Sequence, residues 1–177
     1  MISIRKAKHS DLYSVGVVQV ESNRSTYNGI MPETYLQNLS YEEKAESWER
    51  RLFGDHISEF MYVAECSENG VIGFVAASTV KTNDSYEREL NAVYILKEYQ
   101  GKGIGKMLIN AVVSDYIGSN VRTMMLWTLE QNPARQFYEH LGGRLVDTRT
   151  IDRGGKQLIQ VSYGWEDIRC IEKVQVL

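Results

Sequence analysis

Twenty Lys and Arg against 23 Asp and Glu give this 177-residue chain a formal charge of -3. Hydrophobic residues make up 43% and charged residues 24%, the balance of a globular domain large enough to bury a core. The acidity and the absence of a basic stripe exclude nucleic acid as an expected partner, and the longest uncharged run, Asn69 to Val80, is 12 residues, too short for a membrane-spanning helix. Met1 to Lys6 has no apolar segment after its positive charges, so no secretory signal is expected. Cys66 and Cys170 lie far apart with no CxxC, which fits a reducing compartment and a cytoplasmic location. With no repeat and no linker, one domain over residues 1–177 is expected, ending in a tail from about residue 165.

Ile2-Ser3-Ile4 alternates like a short strand. Ser10-Asp11 is placed to cap a helix carrying Leu12, Val15 and Val18 on one face. Ser40-Tyr41-Glu42-Glu43 fits a capping box, followed by Ala45, Trp48 and Leu52 at helical spacing. That helix turns Glu42, Glu43, Glu46 and Glu49 outward, either as a solvated face or as a rim attracting a cationic substrate. Phe60 to Glu65 reads as a strand, Asn69-Gly70 as a type I′ hairpin turn, and Val71 to Val80 as a return strand buried on both faces.

Arg88 to Leu96 is a further strand, Gly103 to Ile117 a helix stopping at Gly118, and Val121 to Leu129 a strand parallel to the first. A short helix follows, with Asn132 as N-cap, Pro133 at its first position and Gly142 after its end. Strands at about 144–149 and 156–164 flank the hairpin signal Gly154-Gly155. The tail after Trp165 is amphipathic and is not placed by its pattern. The class is α+β, with a mixed, mostly antiparallel central sheet, one parallel βαβ crossover and flanking helices.

Gln100-Gly101-Lys102-Gly103-Ile104-Gly105-Lys106 joins a strand to a helix. Unpaired N–H groups and the dipole at a helix N-terminus bind anions, glycines admit a phosphate closely, and Lys102 and Lys106 add charge. A phosphate cradle and a plain tight turn are both consistent with it. Two nucleotide motifs fail by counting. Gly105-Lys106 is followed by Met107 where a P-loop needs Ser or Thr, and Lys106 stands where GxGxxG needs its third glycine.

The remaining pattern, Gln-x-x-Gly-x-Gly on Gln100, Gly103 and Gly105 after an apolar strand, resembles motif A of the GCN5-related N-acetyltransferases. Asn132 to Gly143, with Phe137-Tyr138-Glu139 and Leu141-Gly142, resembles the downstream motif of the same family. The detailed resemblance covers about residues 89–143. Lys97 departs from the proline that many members carry there, which removes no ligand group.

The resemblance implies acetyl transfer from acetyl-CoA to an amine, in a fold whose fourth and fifth strands splay to admit pantetheine. It assigns the pantetheine contacts to the backbone of Val93, Tyr94 and Ile95. The pyrophosphate would lie on Gln100, Gly101, Lys102, Gly103, Ile104, Gly105 and Lys106, with Asn132 and Arg135 near the cofactor. Tyr138 is implied as general acid, against a packing role, and Glu89 as general base, against a surface role. Tyr27, Met31 and Tyr35 would line the acceptor wall, and Trp48 is assigned to the core. His9, His56 and His140 are isolated, and no metal-ligand cluster is expected. A catalytically silent acyl-CoA-binding module, O-acetylation and transfer of a longer acyl group remain alternatives. A homodimer through the C-terminal hairpin and tail is a further expectation.

Overall fold

The structure is a computed structural model describing residues 1–173. Strands β1 (Ile2–Lys6), β2 (Glu59–Cys66), β3 (Gly70–Ser78), β4 (Arg88–Ile95), β5 (Met124–Leu129), β6 (Arg144–Arg153) and β7 (Lys156–Trp165) form one sheet. Their order is β1-β2-β3-β4-β5-β7-β6. Every neighbouring pair is antiparallel except β4 and β5. The helices are α1 (Leu12–Tyr27), α2 (Glu33–Gln37), α3 (Tyr41–Phe53), α4 (Ile104–Gly118), α5 (Arg135–His140) and α6 (Arg169–Glu172).

The near-continuous apolar run of β3 has its reason in two cores. On one face Ile72, Val75 and Ala77 meet Ile104, Leu108, Ile109 and Val112 of α4. On the other, Phe74 and Ala76 meet Leu12, Val15 and Val18 of α1 and Trp48 and Leu52 of α3. Trp48 is fully enclosed, and its indole N–H donates to Gln19 Oε1 at 2.8 Å. The four glutamates of α3 face solvent as the sequence pattern requires, and Glu49 pairs with His9 at 2.7 Å.

Several local signals resolve differently from expectation. Asp11 does not cap α1. Its carboxylate accepts from Arg5 Nη1 and Nη2 at 2.7 and 3.0 Å and from the Lys8 N–H at 2.7 Å. Only half of the capping box forms, with Ser40 Oγ accepting from the Glu43 N–H. The β2–β3 turn is not type I′. Gly70 takes a φ of 70° while Asn69 does not enter that region, so residues 67–69 make a longer loop with one left-handed glycine. Gly118 is the last helical residue of α4 rather than its stop. Asn120, at φ 60°, is the left-handed position, and the Val121 N–H reaches Tyr116 O at 2.9 Å in a Schellman closure. Residues 121–123 stay out of β5 because the Glu87 carboxylate accepts the N–H groups of Arg122 and Thr123.

Other signals hold. Gly154 and Gly155, at φ 62° and 84°, form the two-residue turn of the β6–β7 hairpin. The tail is placed by packing, not by pattern: Trp165, Ile168 and Ile171 are buried in the α4 core. Its last four residues, 174–177, lie outside the described residues.

Asp11 is nearly buried, and Arg5 holds its carboxyl below the usual range. Asp11→Ala strands the Arg5 guanidinium and the Lys8 amide, so it is expected to cost about 2–3 kcal/mol of stability. A denaturant midpoint at unchanged slope measures this. Because the folded-state pKa is depressed, the contribution is present at neutral pH and is lost as pH falls through the carboxylate range.

Candidate active site

β4 and β5 pair at only three positions, Arg88↔Met124, Glu89↔Met125 and Leu90↔Leu126, and then separate. The register of β4 against β3 passes from Ala77↔Leu90 to Ala76↔Ala92, which leaves Asn91 as an extra, bulged residue. A bulge bends its strand and reverses the side-chain alternation beyond it. Val93 and Ile95 accordingly pack toward α4, and Ala92 and Tyr94 toward α1. Beyond the bulge β4 keeps β3 on one side and, among the described residues, has no strand on the other. The Leu96 N–H donates to Ile72 O at 3.0 Å on the β3 side, so by alternation the amides of Val93 and Ile95 face the gap. Gln100 Nε2 donates to Ile95 O at 2.9 Å, tying the glycine turn to the end of this edge.

The gap opens into a cleft of about 460 Å³ lined by Val93, Tyr94, Ile95, Gln100, Gly101, Gly103, Ile104, Gly105, Lys106, Asn132 and Tyr138, among others. Gly103, at φ 79°, is the N-cap of α4, a left-handed backbone that strains any side chain. Helical hydrogen bonding starts with the Met107 N–H on Gly103 O at 3.1 Å, and among the described residues no amide from 101 to 106 donates to a backbone carbonyl. All of these residues but Lys102 line one wall of the cleft. A Cβ on Gly105 would sit 3.2 Å from the Phe137 ring, so this glycine lets α4 start against α5. Lys102 lies outside the cleft lining, with its ammonium 5.3 Å from the Tyr99 ring centre.

On α5 Phe137 is half-buried and lines the cleft, while Tyr138, which also lines it, is 6% exposed. Burial pushes the Tyr138 hydroxyl well above its ordinary pKa, and among the described residues no side chain hydrogen-bonds it. Asn132 is not the N-cap of α5, which starts at Arg135 with Ala134 in that position; its Oδ1 accepts from the Ala134 N–H at 2.9 Å in the turn that leads into the helix, and its Nδ2 donates to Tyr27 and Thr128 hydroxyls at 3.1 and 2.8 Å in the cleft wall. Arg135 departs from expectation. It does not line this cleft, because Nε donates to the Tyr163 hydroxyl at 2.9 Å and Nη1 to Glu130 O at 3.0 Å.

A second cavity of about 230 Å³ lies across the gap, lined by Tyr27, Met31 and Tyr35 with Gln19, Asn23, Asn91, Lys44 and Arg153. Tyr27, Val93, Tyr94, Asn132 and Tyr138 line both cavities, so the two meet there. Its outer wall is the β6–β7 hairpin tip. Tyr35 lies beneath Gly154, and Lys156 Nζ donates to Ile30 O at 2.7 Å. Glu89 lines neither cavity. It stands at the last paired positions before the strands separate; burial pushes its carboxyl up, Arg149 opposes the rise and Glu59 adds to it. Glu59 is itself buried. Its Oε1 takes Arg51 Nη2 at 2.6 Å and Asn91 Nδ2 at 3.0 Å, which holds the bulged residue in place.

Residues 23–143 match the model of a family described as the acetyltransferase (GNAT) family. The chain is also 30% identical over 173 residues, 97% of both proteins, to the uncharacterised N-acetyltransferase YuaI of Bacillus subtilis. The chain belongs to the GNAT acetyltransferase family. A spermidine N(1)-acetyltransferase of Thermoplasma acidophilum is 25% identical over 157 residues, covering 85% of this chain and 93% of that protein. The crystal structure of PaiA N-acetyltransferase from the same organism, in complex with coenzyme A, shares the fold. Its TM-score is 0.65 at 23% identity, over 91% of this chain and 98% of that one.

As a GNAT enzyme the chain is an acetyl-CoA-dependent N-acetyltransferase, and its own residues fit that co-substrate. The unpaired amides at 101–106 and the α4 dipole suit a diphosphate, and the open edge of β4 suits an extended, amide-bearing arm. Among the described residues no three His, Cys, Asp or Glu side chains gather as a metal would require. The second cavity was only partly legible. Gln19, Asn23 and Tyr27 make a polar stripe at i, i+4 and i+8 on a helix whose other face is apolar, a signal that was available. Lys44, Asn91 and Arg153 carried no local signal, because tertiary packing brings them together.

Proposed function

We propose that the chain acetylates the primary amine of a small acceptor by direct attack, with Tyr138 as general acid and Glu89 as general base acting through water. The observation that carries this reading is the meeting of the two cavities at Tyr138, one walled by the glycine turn and the other by Tyr27, Met31 and Tyr35. When bound, acetyl-CoA supplies the acetyl thioester. Gly101, Gly103, Ile104, Gly105 and Lys106 hold its diphosphate through their amides, and the edge of β4 at Val93–Ile95 aligns its arm. Amides of that edge also donate to the acyl oxygen, where charge develops.

An alkyl ammonium has a pKa of about 10.4 and must lose a proton before it attacks. Glu89 accepts that proton through water, aided by a carboxyl already raised by burial. One N–C bond forms and one C–S bond breaks. The Tyr138 hydroxyl gives its proton to the departing sulfur, the nitrogen sheds its second proton to water or back to the Tyr138 oxygen, and one net proton leaves to solvent as both side chains return to their resting states. The other tyrosine at the junction, Tyr27, accepts a hydrogen bond from Asn132 Nδ2 at 3.1 Å, which fixes its oxygen in the wall shared by the two cavities.

Calorimetric titration with acetyl-CoA, followed by CoA release with an amine panel, tests the function. One saturable site per chain and turnover are expected. Binding without turnover on any amine would favour a silent acyl-CoA-binding module instead. If Glu89 is the base, kcat/KM falls as pH drops through a pKa above the ordinary carboxylate range, since the charged form must be present. Glu89→Gln is expected to remove that acid-side fall and lower the plateau about 10²-fold. An unchanged pH profile would assign the base elsewhere.

A further inference from the structure

The second cavity carries two cations and no acid. Lys44 of α3 and Arg153 at the end of β6 both line it, and no Asp or Glu is among its lining residues. The rest of its polar lining is neutral, chiefly the amides of Gln19, Asn23, Asn91 and Gln160 and the hydroxyl of Thr128. Among the described residues neither cation is salt-bridged. Arg153 Nη1 is engaged only by the Asp152 backbone carbonyl, at 2.9 Å. The two charges feel one another: burial pushes the Lys44 ammonium down and Arg153 adds to that, while Glu43, on the outer face of α3, only partly opposes it. Half-burying two like charges in one small cavity is unfavourable in the free protein, and an anion placed between them relieves it.

We propose that the acceptor amine carries an anionic group, a carboxylate or phosphonate, which docks between Lys44 and Arg153 while the amine reaches the junction at Tyr138. This rests on the acetyltransferase reading given above and names the substrate class for it. A cavity of about 230 Å³ is smaller than pockets for drug-sized ligands, which start at about 300 Å³, so the acceptor is of amino-acid size. A polyamine is disfavoured, because its second ammonium would face Lys44 and Arg153 with no carboxylate in the lining. The spermidine specificity in the name of one relative therefore does not transfer to this chain.

The test uses the full chain. Acetyl-CoA binding is measured first, because its failure would remove the reading on which the acceptor class depends. CoA release is then followed with matched pairs that differ in the anionic group: L-amino acids against their decarboxylated amines, 2-aminoethylphosphonate against ethylamine, and spermidine as the cationic comparison. The expected result is a kcat/KM about 10-fold or more higher for the anionic member of at least one pair, and higher than for spermidine. Lys44→Met and Arg153→Met are each expected to raise KM for that acceptor about 10-fold and to erase the preference. Acetyl-CoA affinity should stay at the wild-type value in both variants, which also shows that they fold. Lys44→Gln serves if the methionine variant does not. Preference for a cationic or neutral amine over every anionic partner would overturn the proposal. So would turnover confined to amines lacking an anion, no turnover of any anion-bearing amine, or wild-type KM values in both variants.

Discussion

Gly103→Glu is expected to lower acetyl-CoA affinity about 100-fold or more while the chain still folds. Among the described residues the backbone amides from 101 to 106 have no carbonyl partner, all of these residues but Lys102 line the cleft, and Gly103 stands in their middle as the N-cap of α4. A carboxylate there competes for the same amides and repels a diphosphate. At about 4 Å and an effective dielectric of about 20 that repulsion is about 4 kcal/mol. The substitution also strains the backbone, because φ is 79° at this residue. Left-handed strain costs about 1–2 kcal/mol of stability, which Gly103→Ala carries without the charge. The pair of variants therefore separates the two effects. Gly103→Ala should unfold slightly earlier and bind within about 10-fold of wild type, and Gly103→Glu should unfold similarly and bind far more weakly. Equal affinities for the two would place the diphosphate away from this turn.

What the sequence carried and what it did not divide along a physical line. Signals that act over one or two turns of chain were legible: the buried run of β3, the glycine turn before α4, the Asn132 turn ahead of α5, and the Gly154-Gly155 hairpin all depend on neighbours in sequence. Signals that need a partner from elsewhere were not. Asp11 reads as a helix cap until Arg5 and the Lys8 amide compete for its carboxylate. The Asn91 bulge has no composition marker, yet it turns two amides of β4 toward the gap. Phe137 and Tyr138 lie on one apolar stripe, and only the separation of β4 from β5 gives both an open cleft to line. The second cavity is the strongest case. Lys44 sits on a helix whose exposed glutamates dominate its pattern, and Arg153 beside a hairpin turn. The hairpin tip folding over Tyr35 is what makes them neighbours.

Tyr138→Phe is expected to reduce kcat about 10²-fold with acetyl-CoA affinity unchanged, the range for loss of one general acid. The side chain is 6% exposed and lines both cavities, so its ring fills space that phenylalanine also fills. Removing only the oxygen leaves packing against Phe137 and Tyr163 in place, so stability should change little. The hydroxyl is protonated at neutral pH at its ordinary pKa, and burial, by raising that pKa, makes it a weaker acid that gives up its proton only as negative charge builds on the sulfur. Tyr27→Phe is the informative comparison. Its hydroxyl accepts from Asn132 Nδ2, so its loss disturbs a wall shared by the two cavities. That variant should raise the acceptor KM more than it lowers kcat, whereas Tyr138→Phe should lower kcat and kcat/KM alike. The split has a further consequence for the leaving group. A thioester with a more acidic thiol needs less help from a proton donor, so the defect of Tyr138→Phe should shrink with such an acyl donor and that of Tyr27→Phe should not. A kcat for Tyr138→Phe equal to wild type would make Tyr138 a packing residue and move the search for the acid to Tyr27 and Tyr94.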